Sequence, residues 1–146
     1  MDLAYEFAPA TESDREVVCD LNLRCYRELV VRQFGEWDEA FQRSHFDRKW
    51  GESTYRKIMV GGEMAGVLVV ENHEDHVFLS EIQIDPGQQG RGLGSRVVSD
   101  LIEKAEKAGL PVRLRVLLQN RAKRLYERLG FVVTDRTETH YLMTRT

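Results

Sequence analysis

Very little in this chain of 146 residues invites a disulfide, a bound metal or a membrane. It has two cysteines, three prolines and four histidines. Cys19 and Cys25 fall in one predicted helix on different faces, which argues against a mutual disulfide and for reduced core thiols. His45, His73, His76 and His140 are scattered without a CxxC or HxxxH partner, so no metal site is expected. No apolar run approaches the roughly 20 residues of a membrane span. The start, Met1-Asp2-Leu3-Ala4-Tyr5, lacks the basic residues and apolar centre of a secretory leader. A cytoplasmic protein with no membrane partner is the expectation. A net charge of -3 with 31% charged residues describes an ordinary surface and gives no reason to expect nucleic acid. There are no repeats and no low-complexity tract, and the length suits one domain over residues 1–146, able to bury a core without staples.

What is present is a glycine-rich stretch, Ser80-Glu81-Ile82-Gln83-Ile84-Asp85-Pro86-Gly87-Gln88-Gln89-Gly90-Arg91-Gly92-Leu93-Gly94-Ser95. An apolar strand runs into a turn that opens a helix. The first turn of a helix carries unpaired N–H groups and a positive partial charge, and glycines at 90, 92 and 94 let an anion approach the main chain. Arg91 and Arg96 add cations where acidic residues ordinarily sit, and the helix acids begin only at Asp100. A bound anion accounts for that inversion. The helix repeats Leu93, Val97, Leu101 and Ala105 and ends at Gly109 before Pro111.

Common phosphate loops can be compared letter by letter. A P-loop needs Gly-Lys-Ser/Thr, and Leu93 follows Gly92 here. The dinucleotide fingerprint places its third glycine where Ser95 stands, and no βαβ unit opens the chain. The remaining pattern, QxxGxG over Gln89, Gly92 and Gly94, resembles the acyl-CoA pyrophosphate loop of the GNAT superfamily of N-acetyltransferases. Downstream, Asn120-Arg121-Ala122-Lys123-Arg124-Leu125-Tyr126-Glu127-Arg128-Leu129-Gly130-Phe131 is similar to that superfamily's NxxAxxLYExLGF segment, in register from Ala122 to Phe131 and with the asparagine one residue nearer the alanine.

The coarse order of elements agrees with that resemblance. Tyr5 and Phe7 mark a first strand. Thr11 and Asp14 start a long helix in which Val17, Leu21, Cys25 and Leu29 recur, with Val18 beside them, up to Gly35. A second helix is expected from Trp37, setting Trp37 and Phe41 one turn apart with His45 on the same side and Arg48 just beyond. Strands follow over 55–60, 64–71 and 77–85, joined by tight turns, then the glycine loop with its helix and a strand over 112–117. A β-helix-β connection makes that strand parallel to the one before the loop. A helix and strands over 131–136 and 140–145 complete an α+β chain with a mixed sheet, the GNAT order of strand, two helices, three strands, helix, strand, helix and two strands.

The resemblance implies that the two parallel strands splay and receive the pantetheine arm of acetyl-CoA. The main chain of Ile82, Gln83 and Ile84 would hold that arm. Gln89, Gly90, Arg91, Gly92, Leu93, Gly94 and Ser95 would hold the pyrophosphate, and Asn120, well typed as a helix cap, would contact the cofactor as well. Tyr126 matches the superfamily's tyrosine near the CoA sulfur, where a phenol near ~10 can protonate a departing thiolate near ~8.5. A free amine attacks the thioester directly, so an alkylammonium must first lose a proton. Glu81, on the strand beside the acyl position, leads as its acceptor, with His140 second. Some relatives carry a glutamate five residues before the motif asparagine; Arg115 stands there.

In such proteins the first two helices wall the acceptor pocket, which nominates Trp37, Phe41, His45 and Trp50, although aromatic residues at helical spacing also mean core. A small-molecule amine is the expected acceptor. A protein or peptide amine, or a non-catalytic acyl-CoA-binding module, is the alternative, and a homodimer is common among such proteins.

Overall fold

The computed structural model describes residues 4–146. Met1, Asp2 and Leu3, which open the stretch read as lacking a leader, lie outside the described residues. The elements are β1 (Glu6–Pro9), α1 (Arg15–Phe34), α2 (Glu39–Glu52), β2 (Arg56–Val60), β3 (Glu63–Asn72), β4 (Val77–Ile84), α3 (Leu93–Lys107), β5 (Val112–Leu117), α4 (Ala122–Arg128), β6 (Val132–Arg136) and β7 (His140–Arg145), with short 3-10 turns at Glu12–Asp14 and Pro86–Gln88. This is the order expected from the sequence. The strand order is β1-β2-β3-β4-β5-β7-β6. The chain divides into two compact units, one running up to Val69 and resuming over Glu81–Leu93, the other made of Val70–Ser80 and Gly94–Thr146. The division passes through β4.

In the first unit, the 3-10 turn that leads into α1 opens on a capping box in which the Thr11 N–H donates to the Asp14 carboxylate at 2.8 Å. α1 ends at Gly35, whose φ of 83° is left-handed and whose N–H reaches the Val31 carbonyl at 2.8 Å. Its buried stripe runs through Val18, Leu21 and Leu29, while Val17 is 55% exposed. A strict four-residue repeat starting at Val17 drifts off the face, because neighbours on a helix alternate between three and four residues. Asn22, Cys25 and Tyr26 lie on the same stripe. The second helix begins at Glu39, because the Asp38 side chain accepts the Phe41 N–H at 3.0 Å. Trp37 therefore precedes the helix that was expected to begin with it. Phe46 is the buried residue of α2 and packs with Val18, Leu21, Tyr55, Val67 and Val69.

Strands β1, β2 and β3 pair antiparallel, with Phe7 opposite Ile58 and Ile58 opposite Gly66. Gly61 and Gly62 turn the β2–β3 hairpin with φ of 59° and 83°, the double left-handed conformation that tight hairpins favour.

In the second unit, the beginning of β4 runs parallel to β5, with Val77 opposite Val112 and Leu79 opposite Leu114. The parallel pair expected from the β-helix-β connection is therefore present. β5 pairs antiparallel with β7 from Val112/Arg145 to Leu117/His140, and β7 pairs with β6. α3 buries Val97, Val98, Ile102 and Ala105. α4 is followed by Gly130 at a φ of 96°, where an added Cβ would stand 2.8 Å from Arg145 Nε. That guanidinium donates to the Leu129 carbonyl at 3.3 Å and pairs with Glu106 at 2.9 Å. Buried Phe131 meets the Tyr126 ring edge-on at 5.7 Å.

Candidate active site

The glycine turn is held from within its own unit. The Asp85 carboxylate accepts the Gly87 N–H at 2.9 Å and receives Arg24 at 3.2 Å. The Gly87 N–H, with Arg24 behind it, keeps the Asp85 carboxyl below its usual range. Gln89 turns back to donate to the Ile84 carbonyl at 2.9 Å, and Arg91 donates to the Gln88 side-chain oxygen at 2.6 Å. Gly90 and Gly92 have φ of 81° and 77°, and a Cβ on either would meet nothing within 4 Å. The turn thus has left-handed backbone positions and open space ahead of α3, the combination an approaching phosphate needs. Arg96 at the helix start is paired with Asp100 at 3.2 Å, so the charge inversion read from the sequence is partly compensated one turn on.

Just before this turn, β4 presents Glu81 and Gln83 to α1 and α2. Glu81 Oε1 accepts Lys49 Nζ at 2.9 Å, and Oε2 accepts the Tyr26 hydroxyl at 2.8 Å and Gln83 Nε2 at 3.2 Å. Gln83 Nε2 also donates to Asn22 Oδ1 at 2.7 Å. Gln83 is the one polar side chain among the described residues classed as buried, at 4% exposure, and its Oε1 has no hydrogen-bond partner. The Tyr55 phenol is raised by burial and, secondarily, by the Glu81 charge. Burial pushes the Cys25 thiol up to about 11, and that thiol donates to the Ile84 carbonyl at 3.5 Å. Both cysteines are free.

The acceptor-wall residues named from the sequence scatter. Trp37 packs against the core of the first unit, with Arg27 5.7 Å above its ring. Trp50 stacks on Phe46 and Tyr55 and donates from Nε1 to Glu12 at 3.1 Å. Phe41 is 63% exposed, and exposed His45 lies 3.2 Å from Arg48 through Nδ1. Asn22, Tyr26 and Lys49 were missed. Two of them carried a signal, being polar side chains on the stripe that α1 otherwise fills with Val18, Leu21 and Leu29.

In the second unit, Tyr126 is 7% exposed on α4. Asn120 Oδ1 accepts the Ala122 N–H at 2.9 Å and so caps the helix that Arg121 formally precedes. His140 Nδ1 faces the Thr139 hydroxyl at 2.7 Å and Arg115 at 3.5 Å. Burial, then the Arg115 charge, lowers its titration. Among the described residues no three His, Cys, Asp or Glu side chains gather as metal ligands, and no helix is long and apolar enough to cross a membrane.

A mixed sheet with a parallel pair leading into a glycine turn defines the fold class, and comparison gives the family. The model of the acetyltransferase (GNAT) family matches residues 16–131. The chain belongs to this family of acyltransferase enzymes. It is 32% identical over 102 residues to the [ribosomal protein bS18]-alanine N-acetyltransferase of Escherichia coli, covering 62% of this chain and 68% of that one. It is 27% identical over 135 residues to the phosphinothricin N-acetyltransferase of Streptomyces viridochromogenes, covering 86% and 73%. The chain spans about half, 47%, of the length of the Bacillus subtilis spore coat polysaccharide biosynthesis protein SpsD, to which it is 26% identical. Among solved structures, the PaiA N-acetyltransferase of Thermoplasma acidophilum in complex with coenzyme A has the same fold, with a TM-score of 0.79, 15% identity and 99% of each chain covered.

Proposed function

We propose that this chain is an acetyl-CoA-dependent N-acetyltransferase that passes the acetyl group directly to a primary amine of a small molecule, as one domain over residues 1–146 acting in the cytoplasm. The observation that carries the reading is the glycine turn, where Gly90 and Gly92 stand left-handed in open space immediately before α3. The main chain of Gln89, Gly90, Arg91, Gly92, Leu93, Gly94 and Ser95 holds the pyrophosphate. The main chain of Ile82, Gln83 and Ile84 holds pantetheine, with Asn120 beside the cofactor. The donor supplies a thioester carbonyl as electrophile. Glu81 takes the proton of the acceptor ammonium, a β4 N–H donates to the oxygen on which charge develops, and Tyr126 protonates the departing thiolate. Exposed Phe41 and His45 border the acceptor, with His140 the second group able to take its proton.

The test is calorimetric titration of acetyl-CoA, followed by thiol release against a panel of amines. Binding with amine-dependent release supports the transferase. Binding with no release from any amine or peptide turns the reading to a non-catalytic acyl-CoA module, and no binding overturns it. A second reading, transfer to a protein amine, is favoured by the 32% identity to the enzyme named for ribosomal protein bS18. A peptide with an N-terminal alanine belongs in the panel for that reason. Homodimerisation is the proposed assembly, read by sedimentation.

A further inference from the structure

The glutamate before the glycine turn is already occupied, and the way it is occupied describes a ligand. Its side chain is 13% exposed and Lys49's is 25% exposed, so their 2.9 Å ion pair is largely withdrawn from water. An ionised carboxylate only accepts, so the amide nitrogen of Gln83 must face Glu81. The same nitrogen serves Asn22 Oδ1. Both neighbours therefore claim the nitrogen end of Gln83, and its oxygen is left buried without a donor. Such an acceptor is destabilising until something donates to it.

We infer that Glu81, Gln83 and Lys49 form an acceptor subsite for an amine that carries its own carboxylate, an α-amino acid in its zwitterionic form. This rests on the amine-acceptor reading above and names the class of amine. An ammonium has three donors, enough to serve Glu81 Oε1 and Gln83 Oε1 together. Taking the place of Lys49 on Oε1, it exchanges one cation for another, so the half-buried carboxylate never loses its countercharge. Lys49 is then left with a charge and no anion, and the carboxylate of the acceptor supplies one. The short separation of ammonium and carboxylate in an α-amino acid suits two protein groups that already touch. One internal ion pair becomes two across the ligand. An amine without a carboxylate instead sets two cations side by side, and like charges at that range repel. Tyr26 and Asn22 act as positioning residues, holding Glu81 Oε2 and the Gln83 amide in place.

The test compares kcat/KM for α-amino acids, their carboxamides and the matching decarboxylated amines, with acetyl-CoA binding followed separately by calorimetry. The acid is expected to exceed its carboxamide by at least about ten-fold. Lys49→Met should pull that ratio to within about three-fold, through KM for the acid rather than kcat. If Lys49→Met does not fold, the wild-type ratio decides alone. Transfer with equal kcat/KM for acid and carboxamide, or transfer confined to peptides, overturns the subsite and leaves the transferase standing. Failure of acetyl-CoA to bind overturns both.

Discussion

Gly66 on β3 lies directly against the main-chain carbonyl of Gln83 on β4. A Cβ built on Gly66 would overlap that oxygen and stand 3.2 Å from both the Gln83 carbonyl carbon and the Ile84 Cα. These are backbone atoms of the strand proposed to hold the cofactor and the acceptor, and no side-chain rotation relieves them. Gly66→Ala should therefore push β4 and destabilise the fold by about 1–3 kcal/mol, as overpacking does. Urea unfolding checks this, as a lower midpoint at unchanged slope.

Gly92→Glu should fold and fail to bind acetyl-CoA. Its left-handed φ strains any other residue by about 1–2 kcal/mol, and a carboxylate there repels a pyrophosphate. Gly62→Glu is the control, because Gly62 also has open space and a φ of 83° but turns the β2–β3 hairpin. Calorimetry should show binding lost in the first variant and retained in the second.

Tyr126→Phe keeps the ring that meets Phe131 edge-on. It should leave acetyl-CoA affinity within about two-fold and lower kcat by at least ten-fold, within the roughly 10²–10⁴ range of proton-transfer catalysis. Equal turnover in the two proteins would remove the acid role from this residue.

His140 ties stability to pH. Burial and Arg115 lower its titration in the folded chain, so the unfolded chain binds the proton first. Its contribution is complete above the ordinary histidine value of ~6.5 and is lost as pH falls from there towards the lower folded value. Unfolding in urea at a series of pH values should show stability declining through that window, with a shallower decline in His140→Gln.

Much of this is legible in the amino-acid sequence. The glycine turn is written in residue types that only a special backbone needs, and Gly90 and Gly92 take up the left-handed conformation such a turn demands. The hairpin at Gly61-Gly62 and the helix stop at Gly35 were readable for the same reason. The acceptor side was less so. Aromatic residues along α2 and just before it suggested a pocket wall, and spacing along one helix does not reveal that Trp50 packs against the core. Asn22 and Tyr26 are written only as polar interruptions of the α1 stripe, which apolar periodicity does not register. Lys49 carried no local signal; only the fold brings it to Glu81.

Gly130 is left-handed and leaves room for Arg145, which is itself tied to Glu106 and to the Leu129 carbonyl. Phe131 beside it is buried. The closing letters of the LYExLGF segment therefore serve architecture. A descendant of this chain that abandoned its chemistry would still keep them for as long as it kept its fold. Those letters follow the fold, and a search for relatives that have lost the proposed reaction should look to position 126.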